Sequence, residues 1–317
     1  MIESQRRYHK YLYNKIEDEK NRIYRLPSIC WEMSFYGAFK FKMTEIKRIP
    51  KVAWEEIDYK LNRIDRNITF GSMMFINTKL EIIDPPFEIC LGSVDNMFAF
   101  SQKLKHINMS GFKFIPTEQK NFVVTNSMFR GSLVPEGVDF SGLRIQEMTN
   151  MFMNCLNEEL DISTLDISDV CVMSGTFAEI QNLKRIIFKQ PTRIHTERKL
   201  VTMDRTFCDC ESLLMGPNFL IDFLGPNSEI TTSTLMLHGC RRVKNIKLYG
   251  LLDERFQYQQ GTFSKSGIVY LELEGFYLKG HSSFDIVTDC ECLVHVIGYS
   301  NFEHYGINLS TNKSLIV

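Results

Sequence analysis

Apolar positions along this chain repeat a short pattern: a Met, an aromatic four residues on, then a stretch in which apolar and polar residues alternate. The pattern is clearest at residues 148–188. There Met148, Met151 and Phe152 lead to Leu160 and Ile162, and Met173 and Phe177 lead to Leu183, Ile186 and Phe188. Taking the aromatic as a marker, it recurs at Phe75, Phe98, Phe129, Phe152, Phe177, Phe207 and Phe263, with Leu237 in its place in one repeat and a degenerate last repeat near Thr288. A period of roughly 25 residues identifies a stacked-repeat architecture.

Two local elements follow from the spacing. Met and Phe three to four residues apart predict a helix-like turn at the marker. The apolar residues after it, such as Leu104, Ile107 and Met109, or Val243, Ile246 and Leu248, end in an alternation that predicts a short strand with one buried face. Such a unit cannot bury its own apolar face, so the units must stack and align their strands in parallel. The expected fold class is α/β: a solenoid of about nine coils over residues 71–317, with a parallel sheet on one side and a C-terminal cap.

Residues 1–70 read differently. Tyr8, Leu12, Ile16 and Ile23 lie on one helical face, and Pro27 ends that helix. Phe39, Phe41 and Met43 alternate with lysines as in a half-buried strand, and Trp54, Ile57, Leu61 and Ile64 line a second helix after Pro50. Two helices and a strand before a solenoid are expected to form an N-terminal α+β cap over its open edge. Residues 1–66 carry an excess of five cations and the rest an excess of six anions, for a net charge of -1. That balance is too even for a field that gathers nucleic acid or anionic membrane.

Neither a secretory h-region nor an apolar run of membrane-spanning length is visible, so a cytoplasmic protein is expected. Nine cysteines, an odd number at irregular spacing, are expected to be reduced thiols.

The segments TNMFMNC (149–155), LDISTLDISDV (160–170) and MSGTFAEIQNL (173–183) resemble the BspA-like leucine-rich-repeat family. Its mycoplasma-type lipoproteins carry the same Met-x-x-Met-Phe and Leu-Asp-x-Ser signatures. The resemblance implies a leucine-rich-repeat solenoid that recognises other proteins and has no catalytic activity. Those relatives are typically exported and anchored, whereas this chain shows no lipobox.

Chemical motifs are sparse. Cys208-x-Cys210 and Cys290-x-Cys292 lie three coils apart, on the order of 14 Å at the spacing of stacked strands, too far to share a zinc ion. Cys155, Cys208, Cys210 and Cys240 instead read as small buried residues just after the marker. His238 with Cys240, and His295 with Cys292, could approach within a coil. His281, Ser282 and Asp285 hold triad residue types within one short loop but lack a nucleophile elbow. Asp161, Asp166 and Asp169 miss the spacing of a calcium loop and suit turns between strands. No phosphate loop or dinucleotide fingerprint occurs, and neither enzyme, metal nor cofactor is expected.

Extra residues enter three coils near 113–122, 189–202 and 216–232, all after the strand and before the next marker. Insertions gathered in one region of a solenoid often serve binding. The expected partner-binding residues are Arg193, His195, Arg198 and Lys199 from the second insertion and Phe219 and Phe223 from the third. Asn245, Lys247 and Tyr249 on the neighbouring strand complete the set. Apolar anchors beside a charged rim suit a protein partner. The function expected is a non-catalytic interaction module that binds, and in one form inhibits, another protein, for example a phage or mobile-element inhibitor of a host defence enzyme. The alternative is a nucleic-acid-associated protein using the basic head and residues 189–199.

Overall fold

The structure is a computed structural model that describes residues 47–49, 54, 71–116, 121–191, 197–248, 261–272, 289, 290 and 292, and the backbone of 295–297. The coils stack as a solenoid of about seven turns, almost all strand and turn. Its strands are β1 (Ile82–Ile83), β2 (Ile89–Leu91), β3 (His106–Ile107), β4 (Phe112–Phe114), β5 (Glu159–Asp161), β6 (Arg185–Ile187), β7 (Lys199–Thr202), β8 (Ser228–Thr232), β9 (Asn245–Lys247), β10 (Tyr270–Glu272) and β11 (His295–Ile297). An α-helix, α1 (Phe219–Leu224), interrupts them, and Trp54 is helical as well. Every strand pair is parallel: β1 with β3, β2 with β4, β5 with β6, β7 with β8, and β10 between β9 and β11.

The markers form the axis of the core. Rings of Phe75, Phe98, Phe129, Phe152, Phe177 and Phe207 stack in one file, with centroids 5.6, 5.0, 5.9, 5.7 and 5.5 Å apart in turn. All six are fully buried, and Leu237 and Phe263 are buried at the same position in the next two coils. Phe112, Phe140 and Phe223 set their rings edge-on against this file. Each buried ring removes some 150–250 Å² from water, so the file contributes a large continuous share of the apolar burial.

The marker turn is not helical. In the coil of Phe152, the amides of Met151, Met153 and Cys155 each bond a carbonyl three residues back, while those of Met148, Asn150, Phe152 and Asn154 donate to Val172, Ser174, Thr176 and Ala178 of the next coil. Alternate amides are thereby committed between coils, and an i→i−4 helical ladder cannot form. The chain achieves this with left-handed residues two before and two after the marker: Asn150 and Asn154, Gly175 and Glu179, Arg205 and Asp209, Leu235 and Gly239, Gly261 and Lys265. Asn and Gly tolerate that conformation best, which explains their recurrence beside the marker. The helical content of the α/β expectation is therefore replaced by three successive reverse turns per coil.

The single sheet of the sequence reading becomes two lines of parallel pairing. One follows the marker, through β1 and β3, β5 and β6, and β9 to β11. The other precedes it, through β2 and β4, β7 and β8, and the bridges Glu147 to Val172 to Thr202. In β5, β6, β9 and β10 the middle residue is buried and its neighbours face outward, the alternation anticipated from Ile186 and Ile246.

Of the expected N-terminal cap, only Lys47–Ile49 and Trp54 fall within the described residues. Arg48 bridges Ile82 in parallel, and buried Trp54 meets the rings of Phe75 and Phe87 edge-on. The C-terminal cap and Thr288 lie outside the described residues. Among those residues no helix is long and apolar enough to cross a membrane.

Candidate interaction surface

The thiols and hydroxyls three residues after the marker form a second interior file. Ser101, Cys155, Cys210 and Cys240 donate to the carbonyls of Phe75, Phe129, Phe177 and Phe207, each in the coil before, at 2.8, 3.1, 2.9 and 3.0 Å. Cys290 makes the same bond to Phe263 at 2.8 Å. Burial pushes the Cys155 and Cys210 thiols up to about 12 and raises Cys240 well above the ordinary thiol range. Burial, with Asp209 beside it, takes Cys208 to about 12 as well. A thiol held protonated is no nucleophile, and Cys155, Cys210 and Cys240 tie coil to coil, while Cys208 bonds its neighbour Asp209.

His238 does not pair with Cys240. Its Nδ1 bonds Ser264 Oγ, and its Nε2 lies 3.9 Å from Asp209 Oδ1. Ser264 is buried and also donates to the Gly261 carbonyl at 2.9 Å. Three triad residue types thus meet across three coils, but the hydroxyl has no open approach and its proton is committed to the backbone. Residues His281, Ser282 and Asp285 lie outside the described residues. Asp161 and Asp166 each accept the amide two residues on, from Ser163 and Ser168, at 2.9 and 3.0 Å, as turn aspartates do. Among the described residues no three His, Cys, Asp or Glu side chains converge as metal ligands.

The insertions are partly woven into the solenoid. The second supplies β7, and the third supplies α1 and β8, which pairs with β7. Phe223 is wholly buried against Phe177, Phe188 and Phe207, so it belongs to the core and offers nothing to a partner. An apolar helix face laid over an exposed flank is drawn inward by the same burial that holds the ring file together. Phe219 is half-buried and stacks on Phe223 at 5.6 Å. Lys199 is half-buried too. Its Nζ donates to the Ser168 and Leu224 carbonyls at 3.2 and 2.9 Å, clasping the end of α1 to the coil, and burial lowers its pKa to about 8. Arg198 is exposed and pairs with Glu229 at 3.2 Å. Arg193, His195 and Tyr249 lie outside the described residues.

Asn245 and Lys247 lie on β9, beside α1, and the Lys247 amide donates to the Pro217 carbonyl at 3.0 Å. The third insertion and this strand are therefore neighbours, as their spacing implied. Asn245 is exposed, and Lys247 is half-buried in an ion pair with Glu272 at 2.9 Å.

Several charges along the outer face are paired between coils. Lys184 meets Glu158 at 2.6 Å, Arg185 meets Glu159 at 2.7 Å and Lys105 meets Glu81 at 2.7 Å. The pairing with Lys184 holds the Glu158 carboxyl below its ordinary range. Exposed pairs of this kind contribute little stability, but they cancel the field that a phosphate backbone would need.

Alternation along β10 places Tyr270 on the outward face, and the structure adds a second exposed apolar side chain, Leu214, that the sequence reading did not single out. Leu214 is 52% and Tyr270 47% exposed. They stand in the coils either side of β9: the Leu214 amide donates to Lys184, and the Tyr270 amide to Lys244. Leu213 holds the buried position six residues after the marker, as Leu104, Leu183 and Val243 do, and Leu214 beside it faces out. Comparison with family models, with curated proteins and with solved structures finds no match.

Proposed function

We propose that this chain is a non-catalytic protein-binding solenoid of leucine-rich-repeat type, working in the cytosol, where its free thiols stay reduced. It acts by covering a surface of another protein, either to block it or to hold it. An inhibitor carried by a phage or mobile element is one setting that fits such a role. The observation that carries this reading is the outer face around β9, where exposed Leu214 and Tyr270 flank exposed Asn245. Apolar side chains held rigidly at the surface are what protein interfaces use as anchors. The buried thiols and the committed Ser264 supply no competing chemistry.

The pairing of Lys105, Lys184 and Arg185 with carboxylates leaves no long run of unpaired cations across these coils, which weighs against the nucleic-acid reading. The test is capture by the immobilised full chain from its native cells at moderate salt, followed by titration of the purified candidate in solution. Direct stoichiometric binding of one protein is the expected result. Salt-sensitive binding of RNA or DNA with no protein partner would overturn the reading.

A further inference from the structure

The coil that carries β9 is unlike its neighbours in charge. From Ser233 to Leu248 it contains no Asp or Glu, yet it holds Arg241, Arg242, Lys244 and Lys247. Adjacent coils supply two acids, Glu211 to Arg241 at 3.8 Å and Glu272 to Lys247 at 2.9 Å. Arg242 and Lys244 are exposed and meet no carboxylate among the described residues. On neighbouring coils Lys184 and Arg185 are each paired, with Glu158 and Glu159.

This excess of positive charge lies between the two exposed apolar side chains. Leu214 is anchored to Lys184 in the coil before it, and Tyr270 to Lys244 through its amide at 3.1 Å. Leu214 and Tyr270 stand two coils apart, roughly 10 Å at the spacing of stacked strands, a distance that about three residues of extended chain cover.

We propose that this patch binds an acidic protein segment that carries two apolar side chains about three residues apart. The apolar side chains would rest on Leu214 and Tyr270, and the carboxylates would meet Arg242 and Lys244. This rests on the protein-binding reading and names the partner's chemistry. A protein segment fits better than nucleic acid because a polyanionic sugar-phosphate chain offers no apolar side chain of leucine size to rest on Leu214. Two of the coil's four cations are, besides, already neutralised. Arg242 and Lys244 steer and orient the segment, and the apolar contacts hold it.

The experiment uses the full chain and three labelled probes followed by fluorescence anisotropy. They are an Asp/Glu-rich dodecapeptide with two Leu three residues apart, the same peptide with Ser for Leu, and a thymidine oligonucleotide of similar charge. The Leu peptide is expected to bind the wild type and to lose roughly tenfold or more in affinity to Leu214→Ser and, separately, to Arg242→Glu with Lys244→Glu. Lys103→Glu, on a distant coil, should change nothing. Circular dichroism and melting confirm that each variant is folded. The proposal is overturned if the Leu peptide does not bind or if the Ser peptide binds equally. It is also overturned if the oligonucleotide binds through Arg242 and Lys244 with no dependence on Leu214. A captured protein that binds these variants as it binds wild type would sink the patch and leave the protein-binding reading standing. Capture of nucleic acid alone would sink both.

Discussion

The ring of Phe152 lies 5.7 Å from that of Phe177 with only 8° between their planes, although the two residues are a full coil apart in sequence. The amide of Phe152 donates to Thr176 at 2.9 Å, so backbone bond and ring stack tie the same two coils. Stacked rings of identical residues follow from stacked identical turns: where the backbone repeats at the spacing of parallel strands, so do the side chains.

Removing one ring from that file should be costly. Phe152→Ala and Phe177→Ala are each expected to destabilise by roughly 3–5 kcal/mol, because each leaves a cavity between rings that cannot close without shifting a whole coil. Urea melts measure this, and a loss below about 1 kcal/mol would mean that neither ring carries the core.

Backbone conformation makes an opposite pair of forecasts. Gly175 has φ +64, and a Cβ there would lie 2.1 Å from Asn150 Oδ1, so Gly175→Ala should destabilise by at least about 1–2 kcal/mol. Lys265, exposed at φ 54, meets the same strain without relief. Lys265→Gly is expected to stabilise by about 0.5–1 kcal/mol, since relief of the left-handed strain exceeds the added freedom of the unfolded chain. Thermal melts that reverse these signs would show that the marker turn is not built as described.

Alkali should unfold the protein through its interior thiols. Cys155, Cys208 and Cys210 keep their protons to about 12 when folded, whereas thiols in the unfolded chain release theirs near 8.5. The folded state then binds more protons, so the stability these groups give is full below about pH 8.5 and falls as pH rises above it. Cys155→Ser with Cys210→Ser should flatten that slope and keep the bonds to Phe129 and Phe177, as Ser101 does to Phe75. Denaturant titrations from neutral pH to about pH 10 read the difference; identical slopes in wild type and variant would refute it.

Lys199 acts in the other direction. Its folded pKa near 8 lies below the unfolded value of about 10.4, so the unfolded chain binds more protons between those limits. Its contribution to stability should therefore rise as pH climbs from about 8 to about 10.4. Comparing wild type with Lys199→Met isolates it from the thiols: the wild type should gain relative to the variant across that window. A constant difference would mean that the Nζ is not desolvated by its place between Ser168 and Leu224.

The sequence by itself determined the repeat. Apolar periodicity located Phe75, Phe98, Phe129, Phe152, Phe177, Phe207, Leu237 and Phe263 at one position of successive coils, and the alternation around Ile186 and Ile246 predicted short parallel strands. Both are consequences of burial, which leaves its period in the residues that must avoid water. The small residues after the marker, Cys155, Cys210 and Cys240, were legible for the same reason. Turn geometry was present but weaker: Asn150, Asn154, Gly175 and Gly239 flank the marker at the spacing of left-handed positions, yet Met and Phe three to four apart also fit a helix. Only the bonds between coils decide which amides stay within the turn. The alternation also told which strand residues face outward, Arg185, Asn245 and Tyr270 among them, but the tertiary structure alone settled how the insertions pack. Phe223 and Phe219 share one helix and nearly one composition of neighbours, but the packing angle of α1 sends one wholly into the core and leaves the other half-buried. Charge pairing is likewise a property of stacking: Lys184 and Glu158 stand 26 residues apart and meet because their coils are adjacent. Arg242 and Lys244 meet no carboxylate among the described residues, a fact of alignment between coils that linear sequence does not carry.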